Sequence, residues 1–557
     1  MAETGELIRR TYKNFRGVDF RGDEISQNRS PDSLNMWRNY KKTSSIETRP
    51  GMERVFSCDT VYGIYFFRGN MIVHSGTQLL LVGGGKSAVL RSGVNAARSN
   101  AFIYGNKWYF LDGKNYLEFD GTIIGSVEGY IPTTSIGRRP ESGGATHEDV
   151  NLLQSKRKNT FLADGKGKIF WLDAENIDRD YAPVVRVNDA VVTNYTVDYT
   201  KGIITFTTAP AAPSTDGQDN ISVTFSKTNN ANKSKILNCT LLQVFDNRVF
   251  FSGNPEYPNT VWHCSLDDPT YCSDLDYYRE GLDSAQIKGM VAGNNALWVF
   301  REPSESATNV FYHTPTIDDE YGKIYPSTHS SVTIGCVGKA INFNDDIIFF
   351  SERGMEGISG DVTTEQFAAH RSTLVDSKLL SNADYKNMLL EEWEGYLLVF
   401  VGEKVFLADS RATLTNENHT EYEFYYWDLK KRVTASKVRD GVLYLGTEDG
   451  VYTLTDRESA VESYWTTPKD KFQAPQKLKT TNKRGCVVEA KGDITLYAKL
   501  EDTDFEPIGS YMGVTDSFVA RIKLKKWKDI QLKFYSPTRF SIEQATLECF
   551  VGGYIKR

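Results

Sequence analysis

The residue types that most often carry enzyme chemistry are scattered along this sequence. Its seven histidines are isolated from one another, and the chain has no H-E-x-x-H, no G-x-S-x-G and no phosphate-binding glycine loop that ends in Lys-Ser or Lys-Thr. Its seven cysteines include no C-x-x-C pair, which argues against a thiolate zinc site and against a disulfide framework. The sequence therefore predicts no catalytic residue, no metal site and no cofactor.

Two weaker signals leave alternatives open. Cys264 and Cys272 are close enough in sequence to form a disulfide, although buried free thiols are the simpler interpretation. Acidic clusters at residues 267–268, 274–276 and 318–320 could ligate calcium, but none has the EF-hand spacing. A glycosidase needs two carboxylates about 5 to 10 Å apart, which distant segments could supply, so this enzyme class stays open.

A repeated pattern organises the middle of the chain: an apolar residue, a tight turn, an apolar-aromatic strand, a second turn and another short strand. Gly, Asn and Asp dominate the first turns, and these residues tolerate the positive φ that two-residue hairpins require. The pattern therefore predicts seven hairpins. Their turns are expected at Gly69-Asn70, Gly105-Asn106, Asp246-Asn247, Asn294-Asn295, Asp345-Asp346, Glu394-Gly395 and Asp440-Gly441.

The spacing of these hairpins indicates the architecture. The last five turns recur every 46 to 51 residues, and a period of this size with several short strands is typical of β-propeller blades. We expect an all-β fold with a propeller of about seven blades, built from residues 56–136 and 233–462. Six or eight blades, or a long array of β-sandwiches, are the alternatives. A strand over residues 45–55 is expected to add to the last blade and close the ring.

The remaining segments predict three further parts. Residues 1–55 form an N-terminal arm and the ring-closing strand. Residues 137–232 contain strands of strict alternation, such as 195–199 and 221–225, and predict a small β-sandwich inserted into the propeller. Residues 463–557 contain another set of strands and predict a C-terminal β-sandwich.

Charge is segregated along the chain. The net charge is −7 overall, which disfavours a general nucleic-acid-coating protein, yet residues 463–557 carry +6 and residues 1–462 carry −13. Lys523, Lys525, Lys526 and Lys528 form one basic patch, which is either solvated surface or a contact for an acidic partner. No run approaches 18 apolar residues, and residues 1–15 lack the apolar core of a secretory signal. We therefore expect neither membrane spanning nor general export, and assembly in a reducing cytosol.

Several segments resemble one family of proteins. Residues 14–37 (NFRGVDFRGDEISQNRSPDSLNMW) and 46–52 (IETRPGM) resemble the start of tailed-bacteriophage virion proteins of the head-to-tail junction or tail nozzle. Residues 194–212 (NYTVDYTKGIITFTTAPAA) resemble the small β-domain inserted into nozzle propellers, and residues 464–472 (YWTTPKDKF) and 552–557 (GGYIKR) are also similar to phage sequences. The resemblance covers about a third of the chain as motifs.

The resemblance implies a virion structural protein without enzymatic activity. Such a protein assembles in the host cytoplasm into a homo-oligomeric ring, with a hexamer favoured. It contacts the portal-adaptor complex or other tail proteins and lets duplex DNA pass without specific binding during DNA ejection. A channel wall with net negative charge would allow that passage, since the affinity of a protein for DNA increases with the number of phosphates that its Lys and Arg side chains neutralise. A carbohydrate-binding or glycosidase-like propeller and a monomeric cellular propeller scaffold are the alternatives.

The candidate interface residues come from the N-terminal arm and from the basic patch. The segment from residue 14 to residue 35 is polar and charged, so we expect an extended arm that packs either on its own chain or on a neighbour. Arg49 precedes a Pro-Gly turn that redirects the chain. The candidate residues for partner contact are Arg16, Arg21 and Arg49 from the arm, and Lys523, Lys525, Lys526 and Lys528 from the basic patch.

Overall fold

The computed structural model describes residues 5–22, 25–42, 45–140, 143–228, 230–305, 308–319, 322–360, 365–416, 419–457 and 460–554. Nearly all regular structure in these ranges is β-strand, which confirms the all-β expectation. The helices there are two short α-helices, Asn230–Leu237 and Asp376–Leu379, and a 3-10 turn at Tyr385–Asn387. The chain divides into two compact units. Unit one is Met1–Phe66, Met71–Gly76 and Ile334–Arg557, and unit two is Phe67–Asn70 and Thr77–Thr333.

Unit two contains three antiparallel sheets of four strands each, in which neighbours in sequence are neighbours in the sheet. Cysteines and large aromatic side chains from the first two sheets share one core, which includes Tyr116, Phe251 and Trp262. The strands are Asn100–Tyr104, Lys107–Leu111, Tyr116–Phe119 and Ile124–Ser126; Leu241–Phe245, Arg248–Ser252, Thr260–His263 and Tyr277–Arg279; Ile287–Gly293, Ala296–Arg301, Val310–His313 and Ser327–His329. Two hairpins, Gln78–Gly83 with Lys86–Ser92 and Thr316–Asp318 with Gly322–Ile324, complete this part.

The inserted segment of unit two forms two sheets with a separate core. Its core is aromatic, with Phe161, Phe170 and Phe206 arranged edge to face. The six-stranded sheet has the order Ala145–Thr146, Thr133–Arg138, Lys156–Phe161, Ile221–Ser226, Val184–Val187, Ala190–Val192, and the three-stranded sheet has the order Ile169–Trp171, Ile203–Phe206, Tyr195–Asp198. Thr133–Arg138 crosses the boundary expected at residue 137.

Two segments of the chain, residues 133–148 and 155–227, build this inserted part. Between them, residues 149–154 return to the strands around Cys272. Asn151 is buried, and its Nδ2 donates hydrogen bonds of 2.9 Å to the backbone oxygens of Tyr130 and Thr270, while its Oδ1 accepts from the backbone N–H of Cys272. Both segments begin and end at adjacent points, because the N–H of Glu148 donates to the oxygen of Thr133 and the N–H of Lys227 to that of Ser155.

Unit one contains two four-stranded antiparallel sheets and one sheet of fifteen strands. The four-stranded sheets are Ala340–Phe343, Asp346–Ser351, Gly354–Ser359 and Phe367–His370, and Ala435–Arg439, Val442–Gly446, Gly450–Thr455 and Gly51–Ser57. Two more strands, Val61–Phe67 and Asn70–Ser75, lie where the chain passes between the units in sequence. The expected strand over residues 45–55 divides into Ile46–Thr48 and Gly51–Ser57. The second piece pairs with Gly450–Thr455, which confirms that this segment completes the last repeat.

The hairpin turns follow the sequence pattern closely. Asp246 and Asn247, Asn294 and Asn295, and the pairs at 394–395 and 440–441 all have φ between 48° and 78°. Two turns lie one residue earlier than expected, at Arg68-Gly69 and Asn344-Asp345. The register that pairs Phe343 with Asp346 requires the second of these shifts, because a slip by one residue would turn the alternate side chains to the opposite face.

The large sheet runs through both ends of the chain. Its order is Ser33–Leu34, Ser463–Thr466, Ile530–Ser536, Lys477–Leu500, Phe540–Tyr554, Ile46–Thr48, Met36–Arg38, His419–Asp428, Lys404–Asn416, Tyr396–Val401, Leu389–Trp393. Glu6–Lys13 also pairs with Phe540–Tyr554, and Glu506–Val514, Ser517–Ala520 and Lys525–Trp527 pair with Lys477–Leu500. The boundary expected at residue 463 therefore does not separate two sheets.

The N-terminal segment, residues 5–57, packs on its own chain. Arg29 is buried, and its guanidinium binds both carboxylate oxygens of the buried Glu423 at 2.8 and 2.9 Å. Burial raises the pKa of Glu423, although the hydrogen bonds from Arg29 oppose this shift. Trp37 stacks on Trp393 with ring centroids 5.4 Å apart. Of the two arrangements open for the arm, the structure shows the intramolecular one.

Arg29→Met should lower the free energy of unfolding of unit one by about 3 kcal/mol, because it removes both hydrogen bonds to the buried Glu423 carboxylate and leaves it only the half-exposed Arg16 at 3.9 Å. Urea titration followed by tryptophan fluorescence measures this change. Arg29→Met combined with Glu423→Gln should cost less than Arg29→Met alone, because no unpaired charge stays buried. Equal losses in the single and double variants would contradict the role given to the ion pair.

The inserted part should be removable in two pieces. Replacing residues 133–148 and 156–226 by short Gly-Ser linkers should leave a cooperative thermal unfolding transition, because both sets of ends are already adjacent and Asn151 keeps its bonds. A matched deletion of residues 133–226 in one piece removes Asn151 and should lower the transition temperature further. Circular dichroism and limited proteolysis distinguish the two, and equal stability of both deletions would refute the anchoring role of residues 149–154.

Candidate functional site

A wide bulge in the longest strand creates the most distinctive surface of unit one. Lys477–Leu500 pairs Thr481 with Cys549 and then Cys486 with Leu547, so residues 482–485 project opposite the single residue Glu548. Gly485 has a φ of 67°, and a Cβ at this position would lie 2.2 Å from the backbone oxygen of Ala520. The bulge thus depends on glycine and presents the side chains of Lys483 and Arg484 to solvent.

Thr481 fixes the opposite wall of this surface. Its hydroxyl donates to the backbone oxygen of Ile522 at 2.6 Å and accepts from the N–H of Leu524 at 3.0 Å. The strand Ser517–Ala520 ends before these residues. The segment from Arg521 to Lys525 lies beside the bulge without continuous strand pairing.

Between these two walls lies a groove of about 920 Å³, here called the basic groove. Five of its lining residues are cationic and none is acidic: Lys483, Arg484, Arg521, Lys523 and Lys525. Within the described ranges, no carboxylate lies within ion-pair distance of these five side chains. The cations of the groove are consequently available to a partner.

The basic groove also has an apolar part. Val487 and Val519 face each other across the paired strands, and they are 37% and 48% exposed. Aromatic side chains are missing from the lining residues, which are Thr480, Thr481, Asn482, Lys483, Arg484, Val487, Val519, Arg521, Ile522, Lys523, Leu524 and Lys525. The site combines positive charge with a small branched apolar surface.

The structure divides the predicted basic patch. All four lysines are exposed, but only Lys523 and Lys525 line the groove. Lys526 adopts a φ of 62° at a register shift, and the backbone N–H of Lys528 bonds to Glu501. Sequence reasoning missed Lys483, Arg484 and Arg521. Strand pairing across about 40 residues brings the first two to the patch, and the Lys-Arg-Gly sequence of the bulge was the available signal.

The three arginines predicted for partner contact have different environments. Arg49 is only 6% exposed, and its guanidinium donates to Asn35 and to the backbone oxygen of Asp428. Arg49 therefore has a structural role in this chain, and its contact with a partner stays a prediction. Arg21 pairs with Asp19, and Arg16 lies 3.9 Å from Glu423, while both side chains keep about half their surface exposed. Their contact with a partner stays a prediction.

Two residues of the first acidic cluster accept internal hydrogen bonds. Tyr104 donates to Asp267, and Asp268 accepts from the N–H and hydroxyl of Thr270. Burial raises the pKa of Asp276 to about 6. Residues of the described ranges form no cluster of three or more potential metal ligands, and Glu320 falls outside those ranges. All seven cysteines, Cys264 and Cys272 included, are free thiols.

A second group of ionisable residues lies in the sheet formed by residues 340–370. The two ring nitrogens of His370 face Asp376 at 2.7 Å and Glu356 at 3.2 Å, and Arg353 approaches Glu356 at 3.4 Å. Burial lowers the pKa of His370, but the hydrogen bonds and charges of the two carboxylates outweigh it and raise the pKa to about 9. Ser372 donates to Asp376 and completes the network.

Similarity searches give a limited result. The chain matches no protein-family model and no curated protein. Among solved structures, it is similar to BamB from Moraxella catarrhalis, with 11% identity over 81% of this chain and 97% of that chain at a TM-score of 0.35. It is also similar to Hsv2 from Kluyveromyces lactis, with 7% identity over 67% of this chain and 99% of that chain at a TM-score of 0.28. Across the described ranges, no helix has the length and hydrophobicity needed to cross a bilayer.

The environment of His370 predicts a pH dependence of stability. The folded state holds the proton of His370 more tightly than the unfolded state. The contribution of protonated His370 to the free energy of unfolding is therefore complete below pH 6.5 and is lost as the pH rises through about 9. His370→Gln should therefore lower the free energy of unfolding by about 2 kcal/mol at pH 6. Urea titrations between pH 6 and pH 10 should show this difference shrinking toward high pH, and a difference that does not change with pH would contradict the assignment.

Proposed function

We propose that this chain is a structural protein of a tailed-phage virion, which assembles into a ring at the tail nozzle or head-to-tail junction and contributes to the DNA channel. The observation that carries this proposal is the segment from residue 14 to residue 37, whose sequence resembles that family. Its residues Phe15, Val18, Asp19, Arg29 and Trp37 are buried. The motif therefore includes residues that this fold needs, which supports a shared architecture.

The proposal includes a single seven-bladed propeller. Six four-strand groups support it: the three sheets of unit two, the two four-stranded sheets of unit one, and the strands from Leu389 to Asp428 within the large sheet. The hairpin strands between Val61 and Ser92 supply the seventh blade in this proposal. The pairing of Gly51–Ser57 with Gly450–Thr455 joins the start of the repeats to their end, as ring closure requires.

Charge supports a division of surfaces in the proposed ring. Residues 1–462 carry a net charge of −13, which suits a channel wall that does not retain duplex DNA. Residues 463–557 carry +6 and include the basic groove, which suits a contact with an acidic protein surface. The two functions thus fall on different parts of the chain.

The assembly state tests this proposal. Mass photometry and negative-stain imaging of the full chain, alone and with a portal-adaptor complex, should show a closed ring, with six copies favoured. Reversing Lys523, Lys525, Lys526 and Lys528 to Glu should reduce binding of the ring to the adaptor complex, because the exposed lysines of the basic patch would no longer attract an acidic surface of the adaptor. Duplex DNA should not be retained at physiological salt.

Two outcomes would contradict the proposal. A monomer in every condition, with no association with the adaptor complex, would favour the cellular scaffold. Tight duplex binding by the ring would favour a protein that clamps the genome instead. The matched pair is Lys523→Glu with Lys525→Glu against Lys471→Glu with Lys491→Glu. Both variants change the net charge equally, and Lys471 and Lys491 are exposed in the same C-terminal segment but do not line the groove.

A further inference from the structure

We propose that the basic groove binds an extended, acidic segment of a different protein, in which acidic residues alternate with small apolar ones. The groove is formed within unit one of a single copy. The inference specifies the acidic partner that the proposed function gives to this groove, and it does not depend on ring formation.

The charge of the groove selects an acidic ligand. Lys483 and Arg484 approach from the bulge, and Arg521, Lys523 and Lys525 from the opposite wall. Because no carboxylate of the described chain pairs with them, a ligand need not displace an internal partner. Arginine and lysine on two sides of one groove can hold carboxylates spaced along a strand, and such complementarity contributes to both association rate and specificity.

The shape of the groove selects an extended ligand. It runs between the cross-strand pairs Val487–Val519 and Thr480–Lys525, a distance of about 20 Å if measured along extended backbone. This length accommodates about six residues of an extended chain. In the described chain, Ser517–Ala520 and Lys525–Trp527 pair only with Lys477–Leu500, so each keeps an open edge. Open edges are where a peptide can add as a further strand.

The apolar floor distinguishes a peptide from nucleic acid. Val487 and Val519 present exposed methyl groups, which fit the alternate side chains of an extended peptide. Proteins that hold single-stranded nucleic acid usually stack bases on aromatic side chains, and the lining residues include none. A cationic groove with a valine floor thus favours acidic peptide over nucleic acid.

Several acidic residues of this chain are already engaged in internal contacts. Asp267 and Asp268 bind Tyr104 and Thr270, Glu391 binds Ser436 and the backbone of Val438, and Glu423 is buried against Arg29. A second copy would have to break these bonds to offer these residues. The occupant that we propose is a segment of another protein, and binding of one copy by another is an outcome that the oligomeric state of the chain would reveal.

Fluorescence anisotropy with a labelled probe tests this inference. The probe is a peptide of about eight residues that alternates Asp and Val, a length chosen to span the groove, and the full chain is titrated into it. We expect saturable binding that weakens with added salt. Arg521→Glu with Lys523→Glu should weaken binding at least about tenfold, whereas Lys471→Glu with Lys491→Glu, which changes the net charge equally, should leave it within about twofold.

Two further titrations separate the parts of the inference. Val519→Asn keeps every cation and should weaken binding of the alternating probe, while a probe with all Asp residues in one block should bind less tightly than the alternating one. Far-UV circular dichroism confirms that each variant is folded. Equal weakening by the groove and control variants, or duplex or single-stranded DNA binding more tightly than the peptide, would overturn the inference.

Discussion

The fold of unit one depends on the pairing of its N-terminal segment with strands that lie hundreds of residues away. Met36–Arg38 pairs with His419–Asp428, Ile46–Thr48 pairs with Phe540–Tyr554, and Gly51–Ser57 pairs with Gly450–Thr455. Without these strands, three sheet edges would be open to solvent, and open edges are prone to pair with other chains. The loop-closure entropy of such distant contacts is modest in comparison with the many backbone hydrogen bonds they allow.

Arg49 connects the three pairings. It lies between Ile46–Thr48 and Gly51–Ser57, and its guanidinium binds Asn35 and the backbone oxygen of Asp428. Asn35 in turn accepts from the N–H of Asp428. This network holds the segment in place at the point where the chain leaves one sheet and joins another. A buried arginine that donates to backbone acceptors in this way stabilises the fold.

Features that depend on local sequence were easier to predict than features that depend on long-range strand pairing. The hairpin turns were predictable because Asn, Asp and Gly tolerate positive φ, and the largest error was a shift of one residue at Arg68-Gly69 and Asn344-Asp345. The free thiols and the closing strand were also predictable from composition and spacing. Only the Lys523 and Lys525 side of the basic groove was predictable from the sequence. Lys483 and Arg484 are brought to the opposite side by long-range strand pairing, which no local pattern specifies. The intramolecular path of the N-terminal segment was likewise one of two open alternatives, since its polar residues suit a neighbouring chain equally well.

Hydrogen exchange measured by mass spectrometry tests the central claim, that the N-terminal segment closes the fold. If Gly51–Ser57 is an integral strand of the last four-stranded sheet, its amides should exchange as slowly as those of Gly450–Thr455, and both should lose protection together as denaturant is raised. Fast exchange throughout residues 51–57, at a denaturant concentration where residues 450–455 stay protected, would show that the segment is only loosely attached and would contradict the account.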